Sequence, residues 1–554
     1  MCGITALFNA GLYRKEDIIE NFNKGSVRGP EYTSYNILNG AFIGFHRLAI
    51  NGLDDQSHQP INLNNNIYLI CNGEIYNWKA LKEILKDEII YKTNSDCEII
   101  IHLYKKYGIE HTLQLLDGVF SFVLFDFENA DCPKAYIARD TYGIRPLFMM
   151  TNGSDGAIGF CSEIKMLHGL NKYNKQTFEQ FQPGSFMQIQ YDTTSPQGWN
   201  YPSNYKQFSS PTAVTNPFIT SDNVLQMIRT SLIGAVQKRV DNTDREIACL
   251  LSGGLDSSLI TAIVAKLLDE PSKLNTWSIG MEGSEDLMYA RKVAEHIGTT
   301  HHEILLTEKD FLDAIPDVIC AIESYDTTTV RASVGNWLIS KFIRENSNAK
   351  VVFNGDGSDE VTGGYMYFHL APNELEFDKE CRRLLKDIHY FDVLRSDRSI
   401  SNHGLEARTP FLDRSFASSY LSIPRELRYH PKNKQPEKYL LRKAFDNMNL
   451  LPKSVLWRTK EAFSDGVSKQ TRSWFEIIQE YAQQQVNEQD PKLAEKKWYK
   501  SLFDKFYPNC ENVIPYFWMP KYVNADDASA RTLDVYKKNL EVDTSNNNSL
   551  SQIL

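Results

Sequence analysis

The rhythm of hydrophobic and polar positions changes twice along this chain of 554 residues. Up to residue 191 the apolar positions come in short β-branched or aromatic runs, at 42–50, 67–72, 119–127, 135–139 and 186–191. Turn residues separate these runs, which predicts strands. Two stretches, 78–86 and 98–107, have helical spacing instead, the second with Ile99, Ile100, Leu103 and Tyr104 on one side. From 192 to 222 Ser, Thr, Pro, Asn and Gln dominate, the composition of a surface linker. Beyond it strand and helix alternate, at 246–251, 257–268, 275–281, 286–297 and 302–306, with a further strand at 350–354. Such alternation needs crossover helices and predicts a parallel sheet. Past residue 387 the pattern is mostly helical and aromatic, a cap on that sheet, and from 543 it is polar, a disordered tail. The expected division is therefore 2–191, a linker at 192–222, 223–542, and a tail at 543–554. No internal repeat is present.

Composition narrows the class. A hydrophobic share of 42% and a charged share of 23% are those of folded, soluble material. The net charge of −10, with both signs interspersed and no basic block, argues against a nucleic-acid partner. Nine cysteines without a CxxC pair suggest reduced thiols. No signal peptide or bilayer-length apolar run is seen, so the expectation is a cytoplasmic protein with no membrane partner.

Cys2 is chemically interesting if Met1 is removed, because thiol and free α-amine then belong to one residue. An α-amine has a pKa near 7.7–8.0, so about a tenth is neutral at pH 7 and can act as a base. A thiol so activated can attack an amide carbonyl. Alone, a cysteine after the initiator is an ordinary thiol. Its companions change the reading. Asn72-Gly73-Glu74 closes a predicted strand, where an amide and a glycine N–H can face a developing oxyanion, although a plain turn has the same pattern. Arg47 can hold a substrate carboxylate bidentately, and Asp96 can pair with a substrate ammonium or simply cap a helix.

Cys2-Gly3-Ile4, Arg28-Gly29-Pro30, His46-Arg47-Leu48-Ala49, Asn72-Gly73-Glu74-Ile75-Tyr76-Asn77, Ser95-Asp96 and Arg139-Asp140 follow one another in an order that resembles the glutaminase domain of class-II, N-terminal-nucleophile amidotransferases. The resemblance implies an αββα fold, Cys2 as nucleophile, and Asn72 and Gly73 as oxyanion hole. It also implies a glutamine site of Arg47, Leu48, Ala49, Ile50, Asn51, Asn72, Gly73, Glu74 and Asp96.

Ser252-Gly253-Gly254-Leu255-Asp256-Ser257-Ser258 lies between a predicted strand and a predicted helix. Glycines let backbone N–H groups approach closely, hydroxyls add donors, and a helix N-terminus carries about half a positive charge, which suits a polyphosphate. It lacks the Gly-Lys-Ser/Thr ending of a Walker loop and the Rossmann spacing. It resembles the pyrophosphate loop of ATP pyrophosphatases. A second loop, Asn354-Gly355-Asp356-Gly357-Ser358-Asp359-Glu360, follows another strand of the same sheet, and such ends converge on one crevice. Asp256 and Asp359 can then share Mg²⁺ with phosphates; an acidic solvated turn is the other reading. Lys460, in Lys460-Glu461-Ala462-Phe463-Ser464-Asp465-Gly466, supplies a cation.

With Glu323 to Ala332, Tyr365-Met366-Tyr367-Phe368-His369, Leu405 to Asp413 and Trp518-Met519-Pro520-Lys521, the chain up to residue 543 resembles the glutamine-hydrolysing asparagine synthetases. The implied fold is an αββα Ntn-hydrolase domain followed by a doubly wound parallel-sheet α/β domain with a helical C-terminal part. The implied ATP site is Leu251, Ser252, Gly253, Gly254, Asp256, Ser257, Ile279, Asn354 and Gly355, with Asp256 and Asp359 for Mg²⁺. Thr327, Thr328 and Arg331 would hold aspartate, and Asp356 and Lys460 would assist β-aspartyl-AMP chemistry. Glutamine, aspartate and ATP are the expected small-molecule partners, with a homodimer left open. Two departures stand out: Asn354-Gly355-Asp356-Gly357 where many relatives have Ser-Gly-Glu-Gly, and Leu370 where relatives often carry lysine. Two rival readings are a β-lactam-synthetase-like cyclase and a catalytically silent sensor of glutamine or nucleotide.

Overall fold

A computed structural model describes residues 1–152, 156–170, 176–195, 198–200 and 204–537. The expected tail at 543–554 lies outside the described residues, as do parts of the expected linker.

The first half is built of two stacked antiparallel sheets. One has the spatial order Gln176–Gln180, Phe148–Asn152, Ile158–Cys161, Gly3–Phe8, Ala41–Arg47, Tyr32–Leu38. The other runs Trp199–Asn200, Ser185–Tyr191, Lys134–Arg139, Gly118–Asp126, Ile67–Ile75, Ile61–Leu63. Period-two alternation gives each sheet two apolar faces. Ile4, Ala6, Phe8, Ile43 and Phe45 meet Ile70, Val123, Phe125 and Ile137 between the sheets. The outer face of the second sheet packs Leu69, Phe122 and Leu124 on Leu81, Leu85, Ile99, Ile100 and Leu103 of the helices Trp78–Leu85 and Glu98–Leu115. The outer face of the first packs Leu7 and Phe42 on Ile18 and Phe22 of Lys15–Asn23. The layers are therefore α-β-β-α, as the resemblance implied.

Three differences from the sequence reading have local causes. The strand expected to stop at 72 runs on as Ile67–Ile75, paired residue by residue with Gly118–Asp126. Gly73 permits this, because a Cβ there would lie 2.5 Å from the Val119 carbonyl oxygen. The helix from Glu98 continues to Leu115 across Gly108, whose φ of 73° breaks the geometry where the periodicity stopped. The stretch expected to be a surface linker contributes Trp199, 1% exposed, to the core between the sheets.

The second half holds a five-stranded, all-parallel sheet in the order Thr300–Leu306, Asn275–Met281, Ile247–Leu250, Val351–Phe353, Glu406–Arg408. Helices Leu255–Leu267, Glu285–Ile297 and Thr327–Asn346 are among the segments connecting its strands. Strand order reverses at Ile247–Leu250, the switch point where doubly wound sheets open a crevice. Glu406–Arg408 was not anticipated: two of its three residues are charged, and all three are buried. Beyond it the chain is mostly helical, with Arg414–Ser422 and Tyr439–Phe445 packed on the helix Val224–Val240. Among the described residues no helix is long and apolar enough to cross a membrane, and all nine cysteines are free thiols.

Two candidate active sites

The first site grows from the start of the chain. Gly3 pairs with His46, which sets Cys2 beside Arg47 on the neighbouring strand. The Cys2 thiol donates to the Leu48 carbonyl oxygen at 3.7 Å. Burial pushes it up to about 11, against the pull of Arg47. Met1 is present, so the Cys2 nitrogen is an amide; the free amine is that of Met1, buried 4.0 Å from Glu406 and lowered to about 6 by burial. Asn72 is fully buried, and neither its side-chain oxygen nor its nitrogen has a partner. An unsatisfied buried amide costs about 1–3 kcal/mol, which a polar ligand would relieve.

Arg47 directs its donors to the carbonyls of Asp54 at 3.0 Å, Asn51 at 3.4 Å and Gly52, and its charge remains available to an anion. Leu48 to Asn51 follow Arg47 in the chain, and backbone groups of this segment are already engaged. Ala49 N–H donates to Glu31 at 2.7 Å, its carbonyl accepts from Arg245 at 2.7 Å, and the Ile50 carbonyl accepts from Asp244 N–H at 3.0 Å. Glu74 accepts from Asn51 at 2.6 Å and Asn242 at 2.9 Å and lies 3.3 Å from Arg408. Asp96 accepts from Ile75 N–H at 2.6 Å, and burial pushes its carboxyl up to about 6.

The second site lies at the carboxyl ends of the parallel strands. One cavity is lined by Leu251, Ser252, Gly254, Asp256, Ser257, Ile279, Thr328, Asn354, Gly355, Asp356, Asp359 and Lys460. The two glycine-rich loops touch: a Cβ on Gly355 would sit 2.7 Å from Ser257 N, so only glycine lets them meet. The helix Leu255–Leu267 points its N-terminus at this junction. Ser252 and Ser257 hydroxyls lie 2.9 Å apart, both directed by the loop.

Charges in this cavity are paired. Asp256 and Asp359 both hold the Lys438 ammonium, at 2.5 and 2.7 Å, and Lys460 sits 2.7 Å from Asp359 and 3.8 Å from Asp256. The two lysines outweigh burial and hold the Asp359 carboxyl well below the usual range. Two carboxylates converging on one point beside a phosphate loop are a donor set that fits Mg²⁺. Asp356 is matched by Arg395 at 2.9 Å, and Arg395 in turn by Asp392 at 3.0 Å. Burial raises the Asp356 carboxyl, and one of its oxygens is buried without a partner.

Not every expected residue reaches the cavity. Arg331 gives two hydrogen bonds to Glu495, at 2.8 and 2.6 Å, and two to Asp527, at 2.8 and 2.9 Å. Its charge is matched inside the protein, and it lines a second cavity that Thr328 shares. Thr328 has a buried hydroxyl with no partner and lines the cavity, whereas Thr327, its neighbour on the helix, and Gly253 do not. Lys438, Arg395 and Arg458 line it without having been singled out from sequence. Lys438 sits at φ 59°, a conformation that no motif around it announces.

The two sites are joined by buried ion pairs. Arg408 bridges Glu74 and Glu406, Arg145 reaches Glu406 at 3.2 Å, and Arg28 holds Glu163 at 3.0 Å and Asp397 at 2.8 Å. The Arg408 carbonyl accepts from Asn354 N–H at 3.1 Å, so one short strand touches both sites.

Two family models match the chain. The family model described as "Glutamine amidotransferase domain" matches residues 1–199, and that described as "Asparagine synthase" matches 227–377 and 370–528. Curated relatives named asparagine synthetase [glutamine-hydrolyzing] include one from Gallus gallus, 44% identical over 98% of this chain and 100% of the relative. Those from Mus musculus and Homo sapiens are 44% and 43% identical, over 97% of this chain and 99% of the relative in each case.

Proposed function

The chain belongs to the glutamine-hydrolysing asparagine synthetases, and we infer that it converts L-aspartate, L-glutamine, ATP and water to L-asparagine, L-glutamate, AMP and diphosphate with the residues gathered at its two sites. The silent-sensor and cyclase readings fall away with that membership. Removal of Met1 frees the Cys2 amine, which takes the thiol proton as sulfur attacks the glutamine amide. Asn72 and Gly73 then stabilise the oxyanion. Arg47 takes the glutamine carboxylate, and Asp96 its ammonium. Glu74 closes the pocket through Asn51 and links it to Arg408. The thioester formed on Cys2 is hydrolysed to glutamate, and the ammonia released passes internally to the second site.

There the aspartate β-carboxylate attacks the ATP α-phosphorus, giving β-aspartyl-AMP and diphosphate. A carboxylate is a poor electrophile, and AMP makes its oxygen a leaving group for ammonia. The Ser252 to Ser257 loop and Lys460 stabilise the phosphate charge. Asp256 and Asp359 would hold Mg²⁺, which supplies charge neutralisation at the phosphates when bound. The nucleotide would lie against Leu251, Ile279, Asn354 and Gly355. For aspartate we favour the free Thr328 hydroxyl and Arg395, held in place by Asp356, over the internally paired Arg331. The nine free thiols suit a reducing cytosol; a homodimer is compatible with this reading, and the mass of the enzyme in solution decides it.

The observation that carries the synthetase half is the convergence of both glycine-rich loops, Asp256, Asp359 and Lys460 on one cavity. The test is turnover: aspartate, ATP with Mg²⁺, and either glutamine or ammonium should yield asparagine and AMP. No AMP from either nitrogen source overturns the reading.

A further inference from the structure

The turn that presents Lys460 is gripped from outside by the segment from Asp527 to Tyr536. Ala462 accepts from Asp465 N–H at 2.9 Å and Gly466 N–H at 2.8 Å, so 462–466 closes into one turn. Just before it, one Glu461 carboxylate oxygen is held by Arg531 Nε at 2.7 Å and the other by the Tyr536 hydroxyl. At its far end, Ser529 donates to the Asp465 carboxylate, with contacts of 2.9 and 3.0 Å. Arg531 also reaches the Lys469 carbonyl and Ser473, each at 3.0 Å, spanning the segment that follows the turn. The strap is anchored in its own right, since Asp527 is held by Arg331 and by Gln479 at 2.8 Å. This gives the internally paired Arg331 a purpose: it fastens the strap.

We propose that Arg531, Tyr536 and Ser529 are positioning residues for adenylation, fixing Glu461 and Asp465 so that Lys460 is held toward the phosphates. The electrostatics favour this arrangement. Glu461, Asp465 and Asp286 are three carboxylates in one buried region; burial and the charge of Glu461 push both aspartates up to about 7. Arg531 is the cation paired with Glu461. Without it, Glu461 is driven toward water, and it is covalently next to Lys460. A displacement of about 1 Å in a group that acts on a transition state can lower the rate roughly 10²-fold.

The inference rests on Lys460 acting in adenylation, and aspartate-dependent ATP–diphosphate exchange reads that step without any nitrogen source. Arg531→Met, Glu461→Gln and Tyr536→Phe should each lower the exchange kcat, the first two by about 10- to 100-fold, with KM for ATP and aspartate within about twofold. The double variant Arg531→Met/Glu461→Gln should be no slower than its slower single, because both remove one contact. Arg531→Lys should recover part of the rate, and glutaminase activity at Cys2 should be unchanged throughout. Unchanged exchange in the folded variants, or losses that multiply in the double variant, overturns the proposal. If Arg531→Met fails to fold, Tyr536→Phe, which deletes one hydroxyl, carries the test. Absence of exchange in the unaltered enzyme would instead remove the underlying synthetase reading.

Discussion

The two sites hold their reactive groups in opposite electrostatic states. Around Cys2 the nucleophile and its nearest polar neighbours have no counter-charge: a thiol raised by burial, an Asn72 amide without partners, an arginine bonded only to carbonyls. Around Lys460 nearly every charge has a protein counter-charge, Asp256 and Asp359 sharing two lysines and Asp356 sharing Arg395. A site whose reacting group is an uncharged amide can be left open and wait. A site for a polyphosphate must keep its cations and carboxylates from collapsing the fold before substrate arrives, and mutual pairing does that. Substrate and metal then exchange partners with groups that are already in place.

The largest separation between the sites should come from Cys2→Ala. Losing the nucleophile should reduce glutamine-dependent synthesis by roughly 10⁴-fold or more, while ammonium-dependent synthesis stays near its original rate. Loss of both would break the picture of two separable sites. A short N-terminal extension that blocks the Cys2 amine should cost roughly 10²- to 10⁴-fold by removing the base alone. Lys460→Gln should act on the other site only, lowering synthesis from either nitrogen source by about 10²- to 10³-fold while glutaminase activity persists. If it affects glutamine-dependent synthesis alone, Lys460 belongs to nitrogen transfer and not to adenylation.

Arg331→Met tests whether this arginine serves the substrate or the fold. It leaves Glu495 and Asp527 buried without their cation, which should cost about 3–5 kcal/mol of stability in denaturant unfolding. KM for aspartate should hold while kcat falls with the loosened strap. A selective rise in KM for aspartate would restore Arg331 to the substrate.

Arg331 also shows where legibility in the sequence ended. A helix start bearing Thr327, Thr328 and Arg331 has the same composition whether the arginine meets a substrate or two internal carboxylates. Its partners lie 164 and 196 residues further along, where no local pattern points back. Lys438 was hidden for a related reason: it is placed by a left-handed backbone and by tertiary contacts, not by a motif. The loop from Ser252 to Ser258 and the second loop from Asn354 were readable because glycines and hydroxyls there answer to local backbone geometry. The strands of the sheets were readable where apolar alternation was strong. Glu406–Arg408 was not, since its charged residues are buried by salt bridges with the other half of the molecule.

The smallest effect should be a difference in pH response. Asp96 is pushed up to about 6 by burial, despite the hydrogen bond from Ile75 N–H, so it takes a proton within the range where enzymes are assayed. Asp359 is held low by Lys438 and Lys460 and keeps its charge throughout that range. A carboxyl of pKa near 6 is almost wholly ionised at pH 7.5 and about one quarter ionised at pH 5.5. If the charged form of Asp96 receives the glutamine ammonium, KM for glutamine in the glutaminase reaction should rise about fourfold across that interval. Aspartate-dependent ATP–diphosphate exchange should show no matching inflection, because its carboxylate is already secured by two cations. Asp96→Asn should raise KM for glutamine at pH 7.5 and flatten its dependence on pH. A KM that still inflects near pH 6 in that variant would assign the titration to another group of the glutamine pocket, with Glu74, raised by burial and by its carboxylate neighbours, the first to examine.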